Sequence, residues 1–314
     1  MRDRSTVPTH ARSQERAFRF RDPITLHLGE KLMKQQMAIW SGVVALAALA
    51  GPDRLAGQMV LTTDAGAFNN YTWRGVTMTN KVVVQPDAYL SVPGGGGAAV
   101  IGVWGNIDAG QYDDPVNDFS EGGGTGPWDA TEIDVWAEYG HPLGTTFTGT
   151  MGGLLYLFPN ESGLTNEANQ TFEVYGKLQA TGLPLAPKVS AFYDVAKVDG
   201  LYLETTLTHT LQAIKGFPLT FGALAGWSAG QAVNQNDPSE IANFSENGLT
   251  HLDFSATGAL AAGPVVLAPT AHLLVANDEF TKFTKPGVTN DVKGWVGLTL
   301  TWSKPLTAAP VTQK

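Results

Sequence analysis

His251, Asp253 and Ser255 are the residue types of a serine hydrolase, and they occupy alternate positions in the chain. In such an enzyme the histidine lies within hydrogen-bond reach of the serine that it deprotonates. Residues two positions apart on a β-strand share a face but stand about 6–7 Å apart. These three residues therefore cannot form the relay by themselves. The six histidines also lack metal-ligand spacing, so we expect no enzymatic activity, no cofactor and no metal.

A larger set of charged residues recurs at alternate positions of segments that are typical of β-strands. On one face of a closed sheet they would line its interior, where acids outnumber bases, and rings of Asp and Glu favour cations in a pore. The alternative is a closed interior filled by paired charges, with Arg74 as their hub because its planar guanidinium can hold two carboxylates. The candidate lining residues are Asp64, Arg74, Asp87, Asp108, Glu132, Asp134, Glu138, Glu173, Lys177, Lys188, Asp194, Glu204, His251, Asp253 and Lys293.

Beyond residue 58 the apolar residues show no sustained helical period. Segments of about 9–12 residues rich in Thr, Val, Leu, Tyr and Phe recur instead, which is the length of a tilted membrane-spanning strand. In Glu132–Tyr139, for example, acidic and apolar residues alternate. The sequence predicts twelve strands: 59–74, 82–92, 98–108, 131–140, 145–158, 170–180, 187–195, 201–212, 218–229, 248–260, 264–276 and 291–303.

The connections between these segments alternate in length. Every connection after an even-numbered segment is tight, whereas four of those after odd-numbered segments are long and polar. An up-and-down barrel with short periplasmic turns and longer outer loops gives this alternation, and an even number of strands leaves both termini on the periplasmic side. The fold class that we predict is therefore all-β: a transmembrane antiparallel barrel of about twelve strands, covering residues 58–303 and followed by a tail over residues 304–314.

Aromatic residues mark the expected ends of the strands, as they do at membrane interfaces. The predicted phases place Trp73, Phe158, Tyr193 and Trp227 at the outer ends, and Tyr139 and Trp302 at the periplasmic ends. Pro269 falls in the middle of a predicted strand, where it cannot donate to the ladder and requires a local irregularity.

Charge and composition exclude some classes of function. Residues 58–314 hold 11 Lys or Arg and 24 Asp or Glu, a net charge of −13, and the chain has no cysteine. An acidic body repels nucleic-acid phosphates, so no nucleic-acid partner is expected. Because disulfides are impossible, strand pairing and packing must hold the fold together.

The start of the chain has the layout of a secretory signal over residues 33–57. Met33 and Lys34 precede about 14 apolar residues, too few to cross a bilayer comfortably. Cleavage could follow the small residues Ala48 and Ala50 or come later, near Gly57, and we favour the later site. Residues 1–32 are polar and Arg-rich, so we interpret them as a non-native extension ahead of a start at Met33; the alternative is an extended basic region of the signal.

Several segments resemble the TorF family of porin-like proteins. The resemblance rests on Tyr71-Thr72-Trp73-Arg74-Gly75-Val76, then Val84-Gln85-Pro86, Ile101–Asp108, Glu132-Ile133-Asp134 and Thr171–Gly176, and it covers about residues 60–180. It implies a bacterial outer-membrane barrel without catalytic residues. We therefore expect a channel for small hydrophilic, cationic solutes, with outer-membrane lipids and the barrel-assembly machinery as partners. A closed structural or adhesion barrel is the alternative.

Overall fold

The architecture is taken from a computed structural model, which describes residues 58–110, 127–159, 170–232, 242–276 and 292–306. The proposed signal and the residues before it lie outside this part of the chain. In the described ranges, no helix is both long enough and apolar enough to cross a membrane.

The described residues form strands throughout, and the chain order of these strands is also their order in space. Each wall strand pairs antiparallel with its neighbours in sequence, β1 pairs with β15, and β12 pairs with β14. The strands are β1 Val60–Phe68, β2 Tyr71–Trp73, β3 Val76–Thr79, β4 Val83–Gly94, β5 Gly97–Asp108, β6 Asp129–Leu143, β7 Phe147–Leu157, β8 Gln170–Ala180, β9 Lys188–Asp194, β10 Leu201–Ile214, β11 Phe217–Ala229, β12 Gly248–Gly258, β13 Leu260–Ala262, β14 Val265–Ala276 and β15 Val292–Pro305.

These pairings close the sheet into a barrel of twelve wall strands, in which the short β13 continues β12 along β14. Closure pairs both edges of every wall strand, so the wall has no open edge in the part of the chain that the structure describes. The predicted fold class is confirmed. The predicted and observed bounds of the eleven later wall strands agree within about three residues, and β15 runs on through Pro305, past the predicted end at residue 303.

The two faces of the wall differ in polarity, because successive side chains of a strand point to opposite faces. On β15 the outward residues Val296, Leu298 and Leu300 are apolar and are 57%, 43% and 43% exposed. The alternate residues of the same strand include Thr299 and Thr301, which face the interior with Asp64 of β1. The barrel is thus apolar outside and polar inside, which is the inverse of a soluble protein.

Pro269 lies where the sequence placed it, in the middle of a wall strand. It pairs regularly with Leu298 on one side. On its other side the ladder is interrupted between Thr257 of β12 and Leu260 of β13. The missing N–H of proline explains this interruption.

The first predicted strand is wrong in extent. The segment 59–74 does not continue as a single wall strand, because β1 ends at Phe68 and β2 and β3 then form a separate two-stranded hairpin. The connection from β1 to β4 is therefore a long structured insertion.

The β4–β5 turn tests the pairing of the wall. Gly95 and Gly96 have φ angles of 62° and 83°, as a two-residue type I′ turn requires. We expect Gly96→Ala to lower the free energy of unfolding by about 1–2 kcal/mol, because an L-residue pays roughly that amount in the left-handed region. The control is Gly176→Ala, which lies in regular β8 with room for a methyl group. Equal effects of the two substitutions in urea titrations would contradict the assigned turn.

Candidate functional site

The β2–β3 hairpin reaches across the barrel interior. Trp73 pairs with Val76, and the two residues between them, Arg74 and Gly75, have φ angles of 49° and 89°. This is the geometry of a type I′ turn, which connects the strands of a tight hairpin. Arginine is an unusual residue in the left-handed region, so other contacts must hold Arg74 in this conformation.

Arg74 forms a buried ion pair with Glu173 of β8. Its Nη1 donates to Glu173 Oε1 and its Nη2 to Glu173 Oε2, both at 2.7 Å. The two side chains are only 5% and 1% exposed. A parallel pair of charge-assisted hydrogen bonds fixes both the distance and the orientation of the guanidinium, so this contact locks the hairpin tip to the opposite wall.

Neighbouring polar groups complete the pair. The Tyr156 hydroxyl donates to Glu173 Oε2 at 3.0 Å. Gln231 lies alongside: its Oε1 accepts from Arg74 at 3.3 Å, and its Nε2 donates to the Gly200 carbonyl at 3.1 Å. Asn243 in turn donates to Gln231 Oε1 at 3.0 Å. The hairpin tip is therefore tied to three separate parts of the wall and its loops.

Aromatic rings enclose the same guanidinium. Its Cζ lies 4.2 Å from the ring centroid of Tyr202, 4.5 Å from that of Trp73 and 4.9 Å from that of Phe192. The burial by itself lowers the pKa of Arg74, but Tyr156 and Glu173 outweigh it and raise that pKa above the usual range. The guanidinium is thus permanently charged, and cation–π contacts add to its attachment.

The base of the hairpin is attached to the β5–β6 side of the wall. The Tyr71 hydroxyl donates to Glu132 Oε2 at 2.8 Å, and the Thr79 hydroxyl donates to Asp108 Oδ1 at 3.0 Å. Burial, together with the nearby Glu132 carboxylate, raises the pKa of Tyr71, which keeps its phenol protonated as a donor. Asn106 also donates to Asp108 Oδ1, at 2.9 Å.

The structure places the fourteen predicted lining residues that lie on wall strands on the inward face. Directly paired residues share a face, and the registers connect these positions around the barrel. Arg74 reaches the same interior from the hairpin. The fourteen are Asp64, Asp87, Asp108, Glu132, Asp134, Glu138, Glu173, Lys177, Lys188, Asp194, Glu204, His251, Asp253 and Lys293.

Several of these residues have specific partners away from the hairpin. Lys177 donates to Glu138 Oε2 at 2.8 Å. Asp194 Oδ1 accepts the amides of residues 196–198 and so caps the end of β9. Lys177 and Glu138 thus compensate each other's charge, and Asp194 fixes the loop that follows β9.

The hydrolase arrangement does not form. Asp253 is paired with His272 of β14, whose Nδ1 lies 2.9 Å from Asp253 Oδ2, and the His272 ring stacks on Trp295 at 4.5 Å. His251 instead faces the hairpin: a Cβ added to Gly75 would lie 2.9 Å from the Cβ of His251. The Ser255 hydroxyl turns toward Gly222 on β11, on the other side from β14. No relay joins the three residues that the sequence brought into question.

Three acids form an arc on one side of the wall. Asp64 pairs directly with Asp87, and Asp134 follows two strands further along the same row, beyond Trp104. Each of the three has a buried Oδ1 that accepts no hydrogen bond from the described part of the chain. The hairpin contacts therefore leave these three oxygens without a donor.

The six predicted girdle aromatics divide into two groups. Trp73 is a correction: it belongs to β2 and packs inside the barrel, with its ring 6.2 Å from that of Tyr156 in an edge-to-face contact. The others lie at or just beyond strand ends. Tyr193 and Trp227 face outward near the long-loop rim, 39% and 49% exposed. Phe158 follows β7 at that rim, and Tyr139 and Trp302 lie near the short-turn rim.

Sequence reasoning missed most partners of the hairpin. Tyr156, Phe192, Tyr202 and Gln231 carry no charge, and β7 is apolar on both faces, so no pattern distinguished them from other barrel residues. The hairpin tip itself is recognisable from a pattern in the sequence. Two short β-rich stretches flank Arg74-Gly75, which is the spacing of a two-residue hairpin turn.

Fold and site together define a closed twelve-stranded antiparallel barrel with a hairpin in its interior. The chain belongs to a family of bacterial proteins of unknown function named Gcw_chp, whose model matches residues 53–257. No curated protein matches the sequence.

Solved structures of bacterial barrels are similar in fold. The NanC porin is 10% identical and covers 77% of this chain and 98% of its own, with a TM-score of 0.44. LpxR from Salmonella typhimurium is 9% identical and covers 77% of this chain and 99% of its own, with a TM-score of 0.46. An outer-membrane channel from Pseudomonas putida F1 is 10% identical and covers 79% of this chain and 96% of its own, also with a TM-score of 0.46. At these identities the similarity transfers no function.

The ion pair predicts how well the hairpin resists proteolysis. Trypsin cuts after Arg74 only when the hairpin leaves the barrel interior, so cleavage reports the open population. Removing one partner of a buried ion pair costs about 3–5 kcal/mol. We therefore expect Glu173→Gln to speed cleavage of the Arg74–Gly75 bond by at least about hundredfold, at 1.4 kcal/mol per tenfold, as followed by mass spectrometry.

The matched control is Glu138→Gln, which breaks the Lys177 pair without touching the hairpin. Its cleavage rate at Arg74 should equal that of the unaltered protein. Equal rates for all three proteins would show that Glu173 does not hold the hairpin.

Proposed function

We propose that this protein is a porin-like channel of the bacterial outer membrane, which it reaches by export through a signal peptide. The outward face of the wall supports membrane insertion, because its side chains are apolar and exposed on strand after strand. Closure supports it as well: the backbone of a spanning segment must satisfy its own hydrogen bonds in the bilayer core, and a closed barrel does so. Its partners are then membrane lipids and, during insertion, the barrel-assembly machinery.

The polar interior is the observation that carries the channel proposal. Fourteen of the predicted lining residues face inward from wall strands, and ten of them are acids. The arc of Asp64, Asp87 and Asp134 adds negative potential that no described basic side chain cancels by direct contact. A lumen of this kind raises the local concentration of cations. The proposed solutes are therefore small, hydrophilic and preferentially cationic.

The second candidate is a closed structural or adhesion barrel. The hairpin favours it, because Arg74 and its aromatic neighbours occupy the interior that a solute would cross. The two candidates differ in conductance. Stepwise current through a planar bilayer that contains the refolded protein supports the channel, and its absence under all conditions supports the closed barrel.

Membrane insertion predicts an asymmetry between neighbouring residues of β15. Leu298 faces outward near the middle of the strand, whereas Thr299 faces inward opposite Gly66. We expect Leu298→Arg to lower the free energy of unfolding in bilayers by about 2–4 kcal/mol, the cost of an arginine at the membrane midplane. Thr299→Arg should cost much less. A larger penalty at Thr299 would reverse the assigned faces.

The acidic arc predicts the ion selectivity. We expect Asp134→Lys to shift the reversal potential in a salt gradient toward anions, because it replaces an inward negative charge with a positive one. Asp199→Asn is the control, since Asp199 is exposed outside the strands. Glu132→Lys should act in the same direction as Asp134→Lys. An unchanged reversal potential in both lysine variants would contradict the proposed lining.

A further inference from the structure

The hairpin tip rests directly on one titratable side chain, His251. A Cβ placed on Gly75 would lie 3.0 Å from both Cγ and Nδ1 of His251, so the backbone of the tip covers the imidazole ring. His251 is 5% exposed, and its Nδ1 shares a 3.0 Å hydrogen bond with the Thr250 hydroxyl. Arg74 directly precedes Gly75. The contact therefore puts a histidine beside a permanent positive charge, under the element that fills the barrel.

A second positive charge at His251 would be buried beside Arg74, with Asp253 of its own strand and Glu204 of β10 as the neighbouring acids. From the hairpin it faces Arg74, and from β10 the hydroxyl of Tyr202 approaches the same Gly226 position that His251 approaches. The residues paired with it on β11 and β14 are the uncharged Gly226 and Ala276. On its own strand the inward neighbour is Asp253, which is already paired with His272.

We propose that the β2–β3 hairpin is an acid-released gate and that His251 is its proton sensor. This inference rests on the proposed channel function. The neutral imidazole fits under the tip, whereas an imidazolium there would lie buried beside the guanidinium. Since the docked state disfavours the proton and the released state does not, lowering the pH shifts the equilibrium toward release. The shift approaches tenfold per pH unit below about 6.5, where a free histidine titrates.

The Arg74–Glu173 ion pair and the proton sensor His251 act on the same hairpin tip in opposite directions. The Arg74–Glu173 pair holds the hairpin at neutral pH, and the strained left-handed φ of Arg74 is a conformation that release would relieve. A buried element with one strong attachment and one titratable contact can exist in two states. Undocking removes the aromatic and guanidinium groups from the interior and leaves the wall acids to line it.

The first arm of the test measures docking without any current. The chain has no cysteine, so Val76→Cys introduces a single thiol at a position that is 6% exposed while the hairpin is docked. The labelling rate by a methanethiosulfonate reagent is compared with and without His251→Gln at the same pH, which cancels the intrinsic pH dependence of the thiol. We expect the ratio to be near one at pH 7.5 and about tenfold at pH 5.5.

His209→Gln is the control for the loss of a histidine, because His209 is exposed on the outward face of β10. It should leave the acid response of labelling intact. His251→Asn serves as a second neutral replacement should His251→Gln fold poorly. A ratio that is the same at both pH values with either replacement would overturn the gate.

The second arm records single-channel current of the full chain at the two pH values. We expect the open probability to rise on acidification, and His251→Gln to abolish the rise. The two proposals fail differently. A labelling ratio that responds to acid without any current refutes the channel and leaves the hairpin switch; current that is unaffected by pH and by His251→Gln, with a flat labelling ratio, refutes the gate and leaves the channel.

Discussion

The ion pair between Arg74 and Glu173 is the contact on which the rest of the interior depends. It buries two full charges, and burial on this scale is tolerable only when both charges are satisfied by good geometry and further hydrogen bonds. Both 2.7 Å hydrogen bonds, the Tyr156 hydroxyl and Gln231 meet that requirement. A hairpin of only a few residues could not stay in place through its own two-stranded pairing, so its position is set by the wall.

The hairpin in turn provides hydrogen-bond donors to side chains of the wall. The hairpin supplies donors to three inward carboxylates of the wall, those of Glu132, Asp108 and Glu173. These contacts supply donors to acids near the long-loop rim, where the corresponding strand ends lie, and the Arg74 guanidinium neutralises Glu173. The acids of the arc, Asp64 and Asp87 among them, remain outside the network. The interior is therefore divided between acids that the hairpin contacts and acids that it does not.

The wall was predictable from the sequence because the side chains of its strands alternate between two faces. Alternation of two residues fixes which side chains face inward, so Glu132, Glu173 and His251 could be assigned a face without knowing their partners. The interior contacts were not predictable, because they join residues far apart in the chain, as Arg74 and Glu173 are. Trp73 shows the limit: an aromatic residue near the end of an apolar segment fits both a membrane girdle and a folded-in hairpin, and only the break after Phe68 separates the two.

The most direct test of the account is a crystal structure of the refolded full chain in detergent at neutral pH. The account predicts density for the hairpin across the barrel interior, with the Arg74 guanidinium against the Glu173 carboxylate at about the 2.7 Å separation described above. A barrel whose interior is empty at that level, with residues 70–79 outside the wall, would contradict it.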